Sequence, residues 1–503
     1  MNSNNIVFNT KNNNYFYSQK NNQVLLLHPL MHYLLLLEKK GVNLNLWAKK
    51  IKQKIYIDSI GTFSKKELMY QYRKYLFFRE NKYFDTKNLV LRQISGEDVK
   101  YSLANTRNLI FEVTEDCNLS CDYCVYGKYY VSRRVGQKNS LGIESAKKAL
   151  DFVFLHYYSS LNSSHDKNIA IGFYGGEALL NFGFIDKMVK YVKSSQLIRK
   201  NDIEFRMTTN GVFLDKYISF LVEHNFYLRI SLDGGTEENN SYRKFHNGKS
   251  VFQKIYKNVL EIKEKFPDYF NNNVEFASVL HSKNSYSEVS KFFSTKFNKK
   301  VIASDLATDS LNPKYIKDFW KMYKAKSDFV DHTEDDVKKQ KTPSISFDSL
   351  VRFIQNYSGY VKPTYVDLLE SNEEAGVFQT GTCLPFSRMV FISAQGKILP
   401  CERVGHQYEL GTVDASTVNI DFDKIANMFN DYYTMVQPTC RRCIHQLKCE
   451  QCILQTNIIS GKFNCDRFTK ISDIELSRFF STYISILEEK PEIYLSTIKH
   501  KFI

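Results

Sequence analysis

The sequence predicts an α/β fold organised around a parallel β-sheet. Six short apolar runs between positions 109 and 306 alternate with amphipathic segments, of which Ile143–Tyr157 and Val251–Phe266 are the clearest. Strand-sized runs separated by helix-sized segments indicate βα units, whose strands pair in parallel. With 503 residues the chain can also bury the cores of two or three domains. The predicted strands are Leu109–Val113, Ile169–Phe173, Ile203–Met207, Tyr227–Leu232, Val274–Leu280 and Val301–Leu306.

Residues 1–100 contain no cysteine and have a pattern of their own, which indicates a separate small domain. Two apolar runs flank an asparagine-rich turn and predict a hairpin, and helical and extended patterns follow. In chain order we expect two hairpin strands, a helix, a strand and a helix, at Val7–Phe16, Gln23–Leu27, Pro29–Lys39, Lys54–Asp58 and Lys65–Phe78.

Three cysteines lie within eight residues directly after the first apolar run, at Cys117, Cys121 and Cys124. Three thiolates can hold three corners of an iron–sulfur cube, which leaves the fourth iron open to a substrate or cofactor. A structural zinc ion is the alternative, but it needs four closed ligands, usually in pairs two residues apart. The spacing C-x3-C-x2-C, with Tyr123 before the last cysteine, therefore favours an iron–sulfur cluster.

At this loop the chain resembles the radical S-adenosylmethionine (SAM) superfamily, whose signature is C-x3-C-x2-C with an aromatic residue before the third cysteine. The resemblance implies a 4Fe-4S cluster on these three cysteines, SAM on its open iron, and Tyr123 at the cofactor. It also implies a partial six-stranded parallel (βα)6 barrel and cleavage of SAM to methionine and a 5'-deoxyadenosyl radical. In parallel βα folds the functional sites lie at the carboxyl ends of the strands.

Further candidate SAM contacts follow the second, third and fourth predicted strands. Gly175-Gly176-Glu177 resembles the family motif that contacts the amino group of SAM, and glycine lets the backbone approach a ligand. Asn210 ends the third strand in a polar Thr-Thr-Asn-Gly sequence that also occurs in the family. Ser231 and Arg243 are spaced as in sulfatase-maturing enzymes, where such residues bind the ribose and methionine portions of SAM. Plain turns and a surface arginine are the structural alternatives.

The other seven cysteines lie within 83 positions and follow a second pattern. It resembles the SPASM extension of radical SAM enzymes, except that Cys449 and Cys452 are separated by two residues instead of three. The resemblance implies two auxiliary 4Fe-4S clusters, and so three clusters in all. Zinc ribbons are the alternative, since C-x2-C pairs are common zinc ligands. The expected ligands are Cys440, Cys443, Cys449 and Cys465 for a distal cluster, and Cys383, Cys401 and Cys452 for a proximal cluster that is one ligand short.

Glu402 follows Cys401 directly, at the position where sulfatase-maturing enzymes have a catalytic aspartate. A carboxylate there is a candidate base for proton abstraction. A structural role beside the cluster is the alternative.

The domain organisation follows from these patterns and from the resemblance. The first domain has the order of elements of the winged-helix-like domain of radical SAM peptide maturases, where a leader peptide adds as an extra strand. The expected segments are a winged-helix-like peptide-recognition domain (1–100), the radical SAM core (105–310), bridging helices (311–375), a cysteine-rich SPASM domain (376–470), and a C-terminal helix with a basic tail (471–503).

The composition limits the choice of partners. The net charge of +15 comes from dispersed lysines without a basic block, so we expect no nucleic acid as a partner. No run of eighteen apolar residues and no signal peptide is evident, so we expect a cytoplasmic protein with no membrane span. Clustered cysteines in such a protein indicate metal binding rather than disulfides.

Together these observations predict a radical SAM peptide maturase. We expect it to install a crosslink, with a cysteine thioether as the favoured bond, in a ribosomally made precursor peptide (a RiPP). A flavodoxin- or ferredoxin-type protein would supply electrons. The alternatives are an anaerobic sulfatase-maturing enzyme that makes formylglycine, a carbon–carbon crosslinking cyclase, and, from a different class, a non-catalytic module that binds zinc or clusters.

Overall fold

The computed structural model describes residues 6–18, 23–58, 60–81, 83–84, 92–131, 138–164, 168–199, 202–308, 311–324, 350–351, 353–354, 357, 380–443, 449, 451–455, 457–459, 462–465, 468 and 472–499. Residues 325–349 and 358–375 of the predicted bridging helices lie outside these residues. Within them, none of the helices combines the length and the apolar character needed to span a lipid bilayer.

The N-terminal elements form a three-stranded antiparallel sheet, a second hairpin and three helices. The sheet has the order β1-β2-β3, and β4 pairs with β5. The sequence predicted α1, β4 and α3 within two residues. The bounds are β1 Ile6–Asn9, β2 Asn14–Ser18, β3 Gln23–Leu27, α1 Pro29–Lys39, α2 Leu44–Lys50, β4 Lys54–Ile57, β5 Gly61–Ser64 and α3 Lys65–Glu80.

The prediction of one strand over Val7–Phe16 was wrong, because this run is itself a hairpin. The chain reverses between Thr10 and Asn13, where the Thr10 amide donates to the Asn13 carbonyl at 3.0 Å. The Thr10 hydroxyl also accepts from the Asn13 amide at 3.0 Å. Polar side chains that bond to nearby backbone favour such turns over extended strands.

The central sheet contains six adjacent parallel strands in the order β11-β10-β9-β8-β7-β6. Each forms at a predicted apolar run, within two residues at either end, which confirms the predicted α/β class. Ile169 to Phe173 in β7 are all buried, as expected for a strand with both faces covered. The strands are β6 Asn108–Thr114, β7 Ile169–Gly175, β8 Ile203–Thr209, β9 Tyr227–Ser231, β10 Val274–Leu280 and β11 Val301–Asp305. The helices are α4 Gly96–Ala104, α5 Ile143–Tyr157, α6 Phe182–Ser194, α7 Leu214–Glu223, α8 Phe252–Lys265, α9 Pro267–Asn273 and α10 Tyr286–Phe297.

The cysteine-rich part of the chain continues this same sheet. Strand β12 pairs in parallel with β6, and β13, β14 and β15 follow as an antiparallel extension, which gives ten strands. The sequence did not predict this continuation, because strands of three residues carry almost no periodic signal. The elements are β12 Val390–Ile392, β13 Lys397–Leu399, β14 Gly411–Val413, β15 Val418–Ile420, then helix Phe422–Cys440, β16 Asn457–Ile459 and β17 Lys462–Asn464.

The remaining helices with described bounds lie before, within and after the cysteine-rich part of the chain. Numbering the helices in chain order makes Ile316–Met322 α11, Phe422–Cys440 α12, Asp473–Glu489 α13 and Pro491–Lys499 α14. The C-terminal segment is therefore two helices instead of the one predicted, because Pro491 opens a new helix. Within the predicted bridging helices (311–375), the described residues 350–351, 353–354 and 357 are helical.

Helix α13 packs against the N-terminal sheet, so the first and last parts of the chain are in contact. Phe480 is buried against Phe8 and Tyr17, with ring centroids 5.5 and 4.4 Å away. The Glu488 carboxylate accepts from Tyr15 Oη at 2.6 Å and from Asn13 Nδ2 at 2.8 Å. Burial alone would raise the pKa of Glu488, but these hydrogen bonds outweigh it and lower the pKa.

We predict that Glu488→Gln weakens this contact by about 1 kcal/mol, because it removes the charge from a set of charge-assisted hydrogen bonds. The native carboxyl has the lower pKa, so its contribution is present above the unfolded pKa of about 4.3 and is lost as the pH falls. Hydrogen exchange of residues 6–18 should increase in the variant at neutral pH. Glu489→Gln is the control, since Glu489 is exposed on the same helix, and an equal increase there would contradict the assignment.

Candidate active site

The loop that carries the first three cysteines begins where β6 ends. The Ser120 amide donates to the Lys244 carbonyl at 2.8 Å, and the Asp122 amide donates to the Tyr242 carbonyl at 2.9 Å. These bonds tie the loop to the segment that follows β9. The thiols consequently lie at the carboxyl edge of the parallel sheet, where βα folds bind their ligands.

The thiols of Cys117, Cys121 and Cys124 lie in a largely apolar environment. Burial raises the pKa of Cys117 to about 11 and that of Cys121 to about 12, and it also raises the pKa of Cys124. Metal binding would release the thiol protons that this burial retains. Ligation of a cluster by these three cysteines remains a prediction.

Asp233 connects the cysteine loop to the parallel sheet. Its side chain is fully buried, and the Tyr123 hydroxyl donates to its Oδ2. Arg243 Nε donates to the same oxygen at 3.0 Å, and the Val279 amide donates to Oδ1 at 3.0 Å. The guanidinium of Arg243 also lies 5.6 Å from the centroid of the Tyr123 ring. A single carboxylate thus joins the loop, the end of β9 and the end of β10.

Arg243 is buried and is not a surface arginine. Burial opposes its charge, but Asp233 more than offsets this, so the pKa of Arg243 is raised. The nearby guanidinium in turn counteracts part of the rise in the pKa of Cys121. The Nε atom of Arg243 is used by its hydrogen bond to Asp233. A contact of Arg243 with SAM would therefore involve the other guanidinium nitrogens, and this contact stays a prediction.

The two glycines at the end of β7, Gly175 and Gly176, are required by the cysteine loop itself. Gly175 has φ +144°, and a Cβ there would lie 2.2 Å from the Thr114 carbonyl oxygen. A Cβ at Gly176 would lie 2.2 Å from the Asp116 carbonyl oxygen. Side chains are therefore excluded at both positions by the backbone that leads into Cys117, and an approach of the glycines to SAM remains a prediction.

Glu177 is 1% exposed, and its carboxylate is used within the protein. It accepts from the Leu179 amide at 3.1 Å, from Thr209 Oγ1 at 2.8 Å and from the Asn210 amide at 2.7 Å. Burial raises the pKa of Glu177. The residue joins the ends of β7 and β8, and a contact with the amino group of SAM remains a prediction.

Asn210 and Ser231 also lie at the carboxyl edge of the sheet. Asn210 Nδ2 is 3.8 Å from Cys117 Sγ and donates to Asn118 Oδ1 at 2.8 Å. Ser231 is the last residue of β9 and is partly exposed. The predicted SAM contacts Gly175, Gly176, Glu177, Asn210 and Ser231 thus lie at the carboxyl ends of β7, β8 and β9, and binding of SAM by them remains a prediction.

The seven remaining cysteines form two groups. Burial raises the pKa of Cys440 to about 12, and the neighbouring thiols Cys449, Cys443 and Cys465 raise it further. Burial likewise raises the pKa of Cys401 to about 12, with a contribution from Cys452. Cys452 in turn has Cys383 as a neighbour. This grouping of four and three thiols is the grouping that the resemblance implied, and ligation itself remains a prediction.

Comparison with known proteins identifies the family of the domain that contains the parallel strands. Residues 111–294 match the family model of the radical SAM superfamily. This segment is a radical SAM domain. This domain implies SAM and a 4Fe-4S cluster as its cofactors.

The chain is similar to several characterised radical SAM proteins. It is 27% identical over 214 residues to the radical SAM cyclopropyl synthase TigE of Paramaledivibacter caminithermalis, which covers 41% of this chain and 42% of the synthase. It is 23% identical over 361 residues to the cysteine-type anaerobic sulfatase-maturating enzyme of Clostridium novyi, which covers 68% and 84%. The solved structure of native anSMEcpe with bound AdoMet superposes with a TM-score of 0.48 and 19% identity over 78% of this chain and all of that one. The first of these matches spans less than half of the relative's length.

Glu402 lies beside the proximal cysteine group, outside the radical SAM domain. Its Oε1 is 3.6 Å from Arg403 Nε, and its charge adds to the rise in the pKa of Cys401 that burial causes. This position fits either a base or a structural carboxylate, and its catalytic role stays a prediction.

A buried polar group that the sequence did not predict joins the radical SAM domain to the cysteine-rich part. Glu112 is fully buried in β6; it accepts from Tyr126 Oη at 2.5 Å and from the Ala394 amide at 2.9 Å. Glu115 accepts from Gln395 Nε2 at 3.2 Å. The His406 ring lies within 4.8 Å of both carboxylates. A carboxylate inside an apolar run, as at Glu112, was the signal available in the sequence.

We predict that Cys117→Ala abolishes SAM cleavage, because an incomplete loop cannot hold the cluster of the radical SAM domain. The iron content of the anaerobically reconstituted protein should fall by about four per chain, and deoxyadenosine should disappear. Ser120→Ala on the same loop is the control. Undiminished deoxyadenosine from the Cys117 variant would contradict the assignment of this loop.

We predict that Asp233→Asn destabilises the radical SAM domain by about 3–5 kcal/mol, because it leaves the Arg243 charge buried without its partner. Asp122→Asn is the matched control. Its partner Lys244 lies 2.9 Å away, but about a third of each side chain is exposed, so we expect a loss below about 1 kcal/mol. Thermal unfolding of both variants measures the loss of stability for each pair. Equal unfolding midpoints would show that the buried pair contributes no more to stability than the exposed pair.

Proposed function

We propose that this protein is a peptide maturase that installs a cysteine thioether in a ribosomally made precursor peptide. The observation that carries the proposal is the distribution of the ten cysteines. Three lie on the loop after β6. Four form a second group, Cys440, Cys443, Cys449 and Cys465, and three form a third group, Cys383, Cys401 and Cys452. The last group can hold a 4Fe-4S cluster with only three thiolates, and so with one position left for another ligand.

The incomplete proximal group favours a substrate that contains cysteine. Thiolates are good ligands for iron–sulfur centres, and metal binding releases the thiol proton. Peptide epimerisation commonly needs a protein thiol to return hydrogen, and all ten cysteines here are assigned to clusters. Carbon–carbon crosslinking needs no substrate thiol and is the chief alternative.

The residues of the chain have separate tasks in this proposal. A cluster with SAM, held by the loop after β6, would supply a 5'-deoxyadenosyl radical that removes one hydrogen atom from a substrate carbon. Asp233, Arg243 and Tyr123 fix the loop, so that this radical forms at a defined place. Bond formation between sulfur and carbon also releases one proton and one electron. Glu402 is the candidate acceptor of the proton, and an auxiliary cluster on Cys383, Cys401 and Cys452 would accept the electron.

The N-terminal sheet is proposed to bind the leader of the precursor. Its β1 edge is occupied, because Ser481 Oγ of α13 donates to the Asn9 carbonyl at 2.9 Å. In the described chain no strand pairs with the outer edge of β3, and Leu26 on this strand is 65% exposed. Strand addition uses a free edge for backbone pairing and exposed side chains for specificity. We therefore propose β3 as the pairing edge.

The similarity to anaerobic sulfatase-maturating enzymes supports a protein or peptide as the substrate. It also keeps one alternative function open, the oxidation of a cysteine or serine side chain of a sulfatase precursor. Glu402, in place of the aspartate expected from that family, argues against this alternative.

Mass spectrometry of a co-expressed precursor tests the function. The peptide encoded beside the gene should lose two hydrogens per crosslink, and the same number of its cysteines should resist alkylation. Loss of two hydrogens with every cysteine still open to alkylation would replace the thioether with a carbon–carbon bond. Conversion of a cysteine or serine to formylglycine would support the sulfatase-maturing alternative.

We predict that Leu26→Glu lowers the affinity for the leader peptide about tenfold, because it places a charge where apolar surface would be buried. Fluorescence anisotropy with the labelled leader measures the affinity. Leu46→Glu is the control, since Leu46 is 58% exposed on α2, away from the β3 edge. SAM cleavage without peptide should be the same in both variants, and an unchanged affinity for Leu26→Glu would exclude the β3 edge.

A further inference from the structure

Helix α11 and the loop that follows Cys124 form an exposed surface that is both basic and aromatic. We call it the α11 surface; it comprises Lys128, Lys314, Lys317, Trp320 and Lys321, all of which are exposed. Lys324 adds a further positive charge, and Asp318, paired with Lys321 at 2.9 Å, is the one acidic residue among positions 311–324. Trp320 is 49% exposed, which is unusual for so large an apolar ring.

The α11 surface is attached to the cysteine loop. The Asn312 amide donates to the Tyr129 carbonyl at 2.8 Å, and Asn312 Nδ2 donates to the Lys128 carbonyl at 3.3 Å. The Tyr130 hydroxyl donates to the Ala307 carbonyl at 3.0 Å. The ammonium of Lys128 lies 5.2 and 5.5 Å from the ring centroids of Tyr129 and Tyr315. A protein bound to this surface would therefore contact residues only a few positions away from Cys124.

Packed aromatic rings connect Trp320 with the cysteines. The Trp320 and Phe319 centroids are 5.4 Å apart, and Phe319 lies 6.1 and 6.2 Å from Tyr129 and Tyr130. The same apolar cluster includes Tyr123 and is bordered by Cys121. Through Phe319, the exposed ring is thus in contact with the apolar cluster that Cys121 borders.

We propose that the α11 surface docks an acidic one-electron carrier protein, of flavodoxin or ferredoxin chemistry, which reduces the cluster held by the loop after β6. The proposal rests on the assignment of the radical SAM domain, whose cluster must gain one electron before SAM can be cleaved. The carrier loses that electron, and no bond is made or broken. Positive charge around an aromatic centre suits such a partner, because opposite charges steer the encounter and a buried ring anchors the complex.

A second basic region supplies the matched control. The groove between α5 and α6 contains Lys147, Lys187, Lys190 and Lys193. Lys147 and Lys190 are paired with acidic residues of their own helices, at 2.8 and 2.7 Å. Among the described residues that line this groove, none belongs to the loop from Cys117 to Tyr130. Charge reversal in this groove changes the net charge of the protein without altering the α11 surface.

The test compares Lys314→Glu/Lys317→Glu with Lys187→Glu/Lys193→Glu in the reconstituted enzyme, with reduced flavodoxin as the probe. Biolayer interferometry measures affinity at ionic strengths of about 0.02 M and about 0.15 M. Deoxyadenosine formation is measured with flavodoxin and, separately, with dithionite. We expect the α11 variant to bind flavodoxin about tenfold more weakly, with a smaller salt dependence, and to turn over more slowly with flavodoxin only. We expect the groove variant to behave like the wild type.

Equal affinity of the α11 variant and the wild type would overturn the proposal, as would a loss confined to the groove variant. Dithionite separates this outcome from a failure of the radical SAM assignment. If dithionite drives no SAM cleavage in the wild type, the assigned chemistry fails, whereas the binding measurement still decides whether the α11 surface docks the carrier. Trp320→Ala provides a second, uncharged variant, for which we expect weaker binding at both ionic strengths.

Discussion

The buried ion pair between Asp233 and Arg243 is the constraint on which the rest of the site depends. A carboxylate that is fully removed from water is tolerated only when nearly all of its lone pairs are used, and Asp233 meets this condition with an arginine, a tyrosine hydroxyl and a backbone amide. Because Tyr123 lies between Cys121 and Cys124, this one charge holds the middle of the cysteine loop. The geometry of the thiols is thereby set by the ends of β9 and β10.

The sequence predicted the framework because the framework depends on local patterns. Each of the six central strands is a contiguous apolar run, and α5 has the bounds that its amphipathic period indicated. The short strands β12 to β15 were not predicted, since their place in the sheet depends on pairing with β6, which lies almost three hundred residues earlier. The hairpin inside Val7–Phe16 was missed because its two strands have only four and five residues and carry little periodic signal.

The site residues that could be predicted are those that belong to motifs with a fixed spacing in the sequence. The cysteines and the strand-end residues were found in this way, although the structure gives the two glycines and Glu177 roles within the protein that the motif alone does not distinguish from ligand binding. Asp233 was missed as a functional residue, because its partners Tyr123 and Arg243 come from different loops. Glu112 and His406 were missed for the same reason, since only the folded chain brings β6 and the segment after β13 together.

The contact between α13 and β1 has a consequence for the order of events during synthesis. Phe8 and Tyr17 are covered by a helix that is synthesised after all of the central sheet, so this face of the N-terminal sheet stays exposed to solvent and chaperones until α13 has emerged from the ribosome. All ten cysteines precede α13 in the chain. Iron and sulfide can therefore be delivered to every cysteine group before α13 packs against β1. A molecule in which this contact has formed has already synthesised all of its predicted cluster sites.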